Sequence, residues 1–593
     1  MPGGDIQLVL KSNYDAYLIG NPNITFFKSV FKRHTRFSME LIKIEPKSNR
    51  NELLENREIE LEFELPHKGN KGGGDLIKET YFVFELPKIY SHNHHQFQWI
   101  KRIGQYIINE VSFFLGNQKI DTLTGEWLHI WNELYLDETK KDGYNNMIGN
   151  LSQLYQPTNI SNTYPDAIPI PNTPFYSPSI NSRKIIVPLP FWYTYMPGCE
   201  FPMTSISSFE NPKIKIKIKP FKELYTVIDV NDNNKRIKPT NDQNISLFKD
   251  LVNFKKSSIV YNINQTHNVT ITSSANPITM TITVSFDLND FPTLKFTNAK
   301  ITNSLAAEFP ITNLIKLSDT QIRLTITNAA SAAFTDGNYT ISGVELNENI
   351  RTNTLDIKPT LEVNYIFLDP LERKYFQTKN QTYFIRQVSK IYLQTSSSTA
   401  KNQKEITIPL KNFKNSSTKI IWALRRNDYQ DLNQWYNFTN WIDPDINPIL
   451  NHNASFNIFD NQTTDLITPN TYDSLKHKEI ILEAEFLNNG NTFLRKNWEY
   501  YQYINHYSHS YKIPEDGIYQ YSFEEETDVE KWQPKRVMNL SLLDNFEMKL
   551  NFIPKEKNAD GTLKEYYYNI FLFSYHYNVL NLINNSATLL FAN

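Results

Sequence analysis

A single cysteine, Cys199, stands in 593 residues. The chain therefore cannot build an internal disulfide framework or a cysteine-rich zinc site. That fits a reducing compartment, and equally a core large enough to need no staples. No apolar run reaches ~18 residues, so no membrane-spanning helix is expected. The most apolar late stretch, "IFLFSYHYNVLNLI", is interrupted by His576, Asn578 and Asn581. The opening "MPGGDIQLVL" lacks the basic and apolar regions of a signal peptide. Charge of either sign is not in surplus: 61 Lys and Arg face 63 Asp and Glu, a net of -2. A protein that coats DNA with its whole surface would be far more basic, so any anion binding is the work of a local patch.

Glycine is scarce, at 18 residues, while aromatics make up 13 % of the chain. Tyr and Phe suit pleated, half-buried surfaces, so the composition leans towards β structure. The clearest period-2 signal is "KIKIKIK", Lys213 to Lys219. Ile214, Ile216 and Ile218 fall on one face and the lysines on the other, which reads as a strand with one face in water. "REIELEFELP" from Arg57 and "ETYFVFELP" alternate in the same way around the turn "GNKGGGD". "EVSFFLGNQKID" reads as a hairpin turning at Gly116-Asn117. Strands in series with turn-rich connections argue for sandwiches or barrels.

Two short helices are expected. Trp127, Ile130, Trp131, Leu134 and Tyr135 form one apolar helical stripe behind a Thr124 cap. Leu361, Val363, Tyr365 and Phe367 form a strand face leading into "FLDPLERKYF". Asp369 then suits a helix cap, with Pro370 at the first position and Glu372 completing a capping-box pattern. A polar, Asn-rich stretch follows residue 225, and a Thr-, Ile- and Asn-rich, charge-poor stretch spans about 262–343. The expected layout is an N-terminal arm (1–25), a first β unit (26–225), a linker with an inserted β-rich domain (226–355), and a second β unit (356–593).

No constellation points to catalysis. There is no phosphate-binding G-x-x-x-x-G-K-[ST] loop, no G-x-S-x-G elbow and no H-E-x-x-H. His92, His94 and His95 have alternating spacing that can hold a metal, but no acidic or thiol partner lies nearby. Asp369 and Glu372 are explained by the helix cap, the run from Glu524 to Asp528 by a solvated loop, and Cys199 by an inert core position. Asn-x-Ser/Thr triplets are frequent, as expected of an Asn-rich chain; Asn268 and Asn338 are candidate glycan acceptors. No catalytic, cofactor or metal residue is expected, so the reading is structural or binding work. A lectin-like carbohydrate-binding sandwich and a β-rich hydrolase are the competing readings.

The segment "GNPNITFFKSVFKRHTRFSME", Gly20 to Glu40, interleaves Lys28, Lys32, Arg33 and Arg36 with Phe26, Phe27, Phe31 and Phe37. If residues 24–34 are helical, Phe27, Val30, Phe31 and His34 share a face opposite Lys28 and Lys32. Such an element carries too little charge to package a genome. The same segment resembles the N-terminal "GNPxITFFK…RHTxFS" signature of the major capsid proteins of nucleocytoplasmic large DNA viruses. "IDTLTGEWLHIWNEL", "VPLPFWYTYMPG", "YIFLDPLERKYF", "GIYQYSFEEE" and "MNLSLLDN" resemble further family motifs in the same order. Length and Asn-rich style look most similar to capsid proteins of mimivirus-like giant viruses. The "GxALPL" motif is replaced here by "CEFPMTS".

The resemblance implies an all-β fold of two tandem eight-stranded jelly rolls, with the insert as extra crown. It implies a homotrimeric capsomer of pseudo-hexagonal outline that tiles an icosahedral shell, assembled in the host cytoplasm. Expected partners are copies of the chain itself, minor capsid and penton proteins, and an internal viral membrane, with no sequence-specific nucleic acid. Phe26, Phe27, Lys28, Phe31, Lys32, Arg33 and Arg36 would form an inner-face assembly segment.

Overall fold

The computed structural model describes most of the chain; outside the description lie chiefly residues 10–18, 166–176, 238–260, 284–292, 327–336, 348–355, 396–404, 445–477, 525–535 and 554–565, with shorter stretches elsewhere. The first unit contributes β1 (Phe37–Ile44), β2 (Ile59–Glu64), β3 (Leu76–Leu86), β4 (Ile108–Leu115), β5 (Gln118–Thr124), β6 (Arg183–Pro188) and β7 (Lys213–Ile218). An insert follows with β8 (Thr266–Ser273), β9 (Ile278–Thr283), β10 (Thr293–Thr302), β11 (Glu308–Lys316), β12 (Gln321–Ile326) and β13 (Gly337–Asn347). Next comes β14 (Thr360–Leu368). The second unit holds β15 (Gln381–Gln394), β16 (Glu405–Pro409), β17 (Ser416–Arg426), β18 (Ile481–Asn488), β19 (Asn491–Asn497), β20 (Ile518–Ser522), β21 (Phe546–Phe552) and β22 (Tyr568–Ile583). Helix α1 (Gly125–Tyr135) follows β5, and α2 (Pro370–Thr378) joins β14 to β15.

The sheet order reveals a repeat. In the first unit β1-β14-β3-β6 is one sheet and β2-β7-β4-β5 the other; in the second they are β15-β22-β17-β20 and β16-β21-β18-β19. Counted within its own unit, each reads 1-8-3-6 over 2-7-4-5. This is the strand order of a jelly roll, in which every neighbouring pair is antiparallel. Aromatic side chains fill the space between the sheets, such as Phe63 against Phe82 at 6.4 Å in the first unit. In the second, Trp422 meets Phe486 at 5.9 Å.

Alternation explains the pairing of β2 with β7. Ile59, Leu61 and Phe63 are buried, as are Ile214, Ile216 and Ile218. The register places Glu60, Glu62 and Glu64 opposite Lys217, Lys215 and Lys213. Lys215 lies 3.2 Å from Glu60 and 3.3 Å from Glu62, and Lys217 lies 3.6 Å from Glu110. Such surface pairs contribute at most ~1 kcal/mol each, but a slip of one residue would bury all of these charges. The lysine row is thus met by glutamates, not left open to a polyanion. Lys219, expected to continue the solvated face, is instead buried.

The insert is a closed barrel. Its strands run β13-β8-β9-β12-β11-β10, and β10 pairs back onto β13. Among the described residues these six strands close on one another, and the short strand Tyr261–Asn262 adds an edge beside β13. Val269, Met280, Ile282, Ile301, Ile322, Leu324, Ile326 and Ile341 fill its own core.

Several expectations need correction. β14 was expected in the second unit, but its hydrogen-bonded neighbours are β1 and β3. It is the eighth strand of the first jelly roll, so the barrel sits within that roll, between its seventh and eighth strands. The first unit also continues past residue 225: Tyr225–Asp229 pairs with His95–Trp99 and with Lys235–Ile237. At α2, Asp369 occupies the cap position and Pro370 the first turn, yet no side-chain cap bond forms. Helix α1 is capped as expected, with Thr124 Oγ1 accepting from Trp127 N at 3.4 Å. Its first residue must be glycine, because a Cβ on Gly125 would sit 2.6 Å from the Ile108 carbonyl oxygen. Of the expected apolar stripe, Trp127, Ile130 and Leu134 are buried and Trp131 and Tyr135 half-buried, but the opposite face with His129, Asn132 and Glu133 is buried too. The cause is that α1 is wedged between the two units. Trp127 lies 5.3 Å from Phe573 and 5.7 Å from Tyr575 of β22.

Candidate assembly surfaces and the junction of the two units

The basic, aromatic N-terminal segment is not a helix where it is described. Phe26 and Phe27 sit in a turn, and Phe31 and Arg33 to Arg36 run as irregular chain into β1. Phe27 N donates to Thr25 Oγ1 at 3.3 Å, which sets the turn. Phe26, Phe27 and Phe31 are 92 %, 98 % and 88 % exposed. Lys28, Arg33 and Arg36 are exposed and have no ion pair among the described residues. Lys32 lies outside the described residues. The segment therefore presents three rings and three cations outward, and the two-faced arrangement that a helix over 24–34 would give is not formed among the described residues.

The exposed surface continues along β1. Its free edge lies at the end of the sheet, and Phe37, Met39 and Leu41 are all about half exposed. An exposed apolar edge strand invites pairing unless something covers it. Helix α2 adds Leu371 and Tyr375, both exposed, and buries no residue of its own. What holds α2 is Arg373, which donates to buried Asp75 at 2.7 and 3.0 Å and to the Leu368 carbonyl at 2.8 Å. Asp75 ends the "GNKGGGD" stretch, whose first three residues lie outside the described residues.

Asn268 and Asn338 are both exposed and directly opposed across β8 and β13. Asn437, in another triplet, is fully buried. Of the histidine cluster, His92 and His94 lie outside the described residues, as does the side chain of His95. Glu524, expected in a solvated loop, is buried, with Arg386 at 3.9 Å. Cys199 is half-buried; desolvation, then nearby Glu200, push its thiol up to about 12, so it is no activated nucleophile.

The richest polar geometry lies between the two jelly rolls. Arg102 Nη2 donates to Glu133 at 2.9 Å and to Glu515 of the second unit at 2.7 Å. The His129 ring pairs through Nδ1 with the Tyr106 hydroxyl at 2.6 Å. Burial, and then Arg102, lower the His129 pKa and favour the neutral ring. Burial opposes ionisation of Glu515, but Arg102, His129 and Lys141 together more than offset it and hold the carboxyl below its usual range. His129, Glu133 and Glu515 bring ligand atoms within 4.8 Å of one another. Arg102 already stands where a metal ion would, so the cluster is a charge clamp.

A second cluster centres on Glu126. Lys390 of β15 lies 3.1 Å from it and Arg425 of β17 3.9 Å. Burial opposes ionisation of Glu126; Lys390, Lys219 and Arg425 more than offset this and hold its pKa low. Residue-by-residue reading missed these junction groups. The legible signal was the spacing of Glu126, His129 and Glu133, a second, polar stripe on α1.

Comparison with known proteins agrees with this architecture. A model described as "Major capsid protein N-terminus" matches residues 25–255, and one described as "Large eukaryotic DNA virus major capsid protein" matches residues 372–588. Probable capsid protein 4 of Acanthamoeba polyphaga mimivirus is 26% identical, across 100% of this chain and 99% of its own. The major capsid protein of Phaeocystis pouchetii virus is 31% identical over 42% of this chain, which spans 48% of that relative's length. Among solved structures, the PBCV-1 virus capsid has a TM-score of 0.55 at 16% identity, covering 96% of this chain and 100% of that one. The Faustovirus major capsid protein has 0.51 at 11%, covering 96% and 94%. These two share the fold. With paired jelly rolls of identical strand order and both halves matched, the chain belongs to the family of large eukaryotic DNA virus major capsid proteins.

Proposed function

We infer that three copies of this chain associate into a capsomer of pseudo-hexagonal outline, and that such capsomers tile an icosahedral shell assembled in the host cytoplasm. The observation that carries this reading is the repeat itself. Two jelly rolls of one strand order lie side by side in a chain, so a trimer has six similar corners. The exposed apolar edge of β1 and the bare outer face of α2 supply surface for the contacts. Obligate assemblies commonly bury large apolar areas of this kind. A lectin reading has no comparable support.

Within that capsomer, the segment with Phe26, Phe27, Lys28, Phe31, Lys32, Arg33 and Arg36 forms the inner base. Its rings pack beneath the rolls of neighbouring copies, and its cations face minor capsid proteins or anionic lipid. Penton proteins would meet the capsomers at the shell's vertices. The barrel crowns the outer side, with Asn268 and Asn338 as glycan acceptors. The arm at 1–25 precedes the first roll as a separate segment.

Native mass measurement of the purified chain tests the trimer. A stable trimer at low micromolar concentration is expected. A monomer that stays monomeric at higher concentration sinks the proposal.

A further inference from the structure

The two charge clusters at the junction balance differently. Around Arg102, one guanidinium and Lys512 face two carboxylates, Glu133 and Glu515. Around Arg425, three cations converge on a single carboxylate, Glu126. Lys390 occupies one of its oxygens. Glu223 also acts on Lys219, but burial favours its neutral form.

Arg425 is 1 % exposed and enclosed by aromatic rings. The centre of its guanidinium lies 4.8 Å from the Phe571 ring, 5.3 Å from Trp435 and Phe438, and 5.9 Å from Tyr106. Lys219, 5 % exposed, holds its Nζ 3.6 Å from the Trp435 ring and 5.8 Å from Tyr106. The two cations thus share two rings. Ring faces attract a cation, but they do not satisfy N–H groups in the guanidinium plane. Nε and Nη2 of Arg425 are buried and have no hydrogen-bond partner among the described residues. Glu126, at 3.9 Å, is too far to accept from them. Each unmatched buried donor costs about 1–3 kcal/mol, and more when charged. A buried surplus of positive charge adds to that cost unless a counter-charge is present.

We propose that a small monovalent anion of the halide class, such as chloride, binds at this junction, accepting from Arg425 Nε and Nη2 and from Lys219 Nζ. The surroundings favour a weakly hydrated ion. A multivalent oxyanion would lose far more solvation on entering an aromatic enclosure than a single halide does. The bound ion joins Lys219 of the first roll to Arg425 of the second.

The test is thermal unfolding of the intact chain in chloride and in gluconate at matched ionic strength. Raising chloride from about 1 to about 100 mM should raise Tm saturably by several degrees, as expected for a ligand that binds only the folded state. Gluconate should not. Lys219→Met should abolish the chloride response. Crystals grown in bromide should show an anomalous peak against Arg425 and Lys219. Equal Tm in the two salts, or a full chloride response in Lys219→Met, overturns the proposal. Should that variant fail to fold, the bromide map of the unaltered protein decides alone: a peak supports the site, and its absence refutes it.

Discussion

At the scale of single residues, two buried carboxyl groups make stability depend on pH. Burial pushes Asp121 up to about 7, against the hydrogen bond its carboxylate accepts from Thr122 N. Burial likewise pushes Glu479 up to about 7, though Tyr519 donates to it. An acid whose folded pKa is raised costs nothing while it is protonated in both states. The cost appears as pH rises from the ordinary carboxyl value, through the folded pKa. These two groups therefore make the protein more stable at about pH 5 than at about pH 8. Asp121→Asn removes one of them. It should raise Tm at about pH 8 and leave it nearly unchanged at about pH 4, where Asp121 is already neutral, the gap corresponding to a few kcal/mol at most. A variant with the same pH profile as the parent would show that Asp121 is not the titrating group. The same scale shows what a sequence hides. Lys219 ends a perfect alternation of Lys and Ile, and nothing local separates it from Lys217. Distant groups turn it inward: Trp435 from the second unit, with Tyr106 and Glu126 from the first.

At the scale of elements, local pattern was sufficient wherever one face of a strand meets water. β2 and β7 were legible from alternation alone, and α1 from its Thr124 cap and stripe. Strand order was not legible. β14 reads as the lead-in to α2, yet its partners β1 and β3 lie hundreds of residues earlier, beyond any local signal. The N-terminal segment shows the opposite case: its spacing allows an amphipathic helix, but among the described residues no apolar face covers Phe27 and Phe31, so tertiary packing adds nothing to a short, marginal helix. The barrel offers an element-scale prediction. Its core is its own, and none of its described strands pairs with a strand of either roll. Replacing Tyr261 to Asn347 with a short flexible linker should leave both rolls folded, with far-ultraviolet dichroism still that of a β protein and Tm within a few degrees of the parent. Loss of the folding transition would mean that β14 needs the barrel to reach its place between β1 and β3.

At the scale of the whole molecule, the two surfaces have separable jobs. The rolls hold together through Trp127 against β22 and through the Arg102 and Glu126 clusters, in which Arg102, Glu133 and Arg425 are buried and Glu515 is half exposed. The N-terminal rings touch none of this, being almost wholly in water in the single chain. Exposure of this size is a liability for a free monomer and an asset only for a subunit that will be covered. Replacing Phe26, Phe27 and Phe31 together by Ser should therefore leave Tm unchanged, since no core contact is lost. Assembly should suffer instead, with shells or capsomer sheets failing to form in electron micrographs. If this segment forms the capsomer base as proposed, neutralising Lys28, Arg33 and Arg36 separates the contribution of charge from that of the rings. It should lower binding to vesicles containing anionic lipid while sparing contacts between copies, because exposed charge acts mainly through long-range, salt-screened attraction. If the Ser variant unfolds, the rings belong to the core of the chain; if it builds normal shells, the base of the capsomer lies elsewhere.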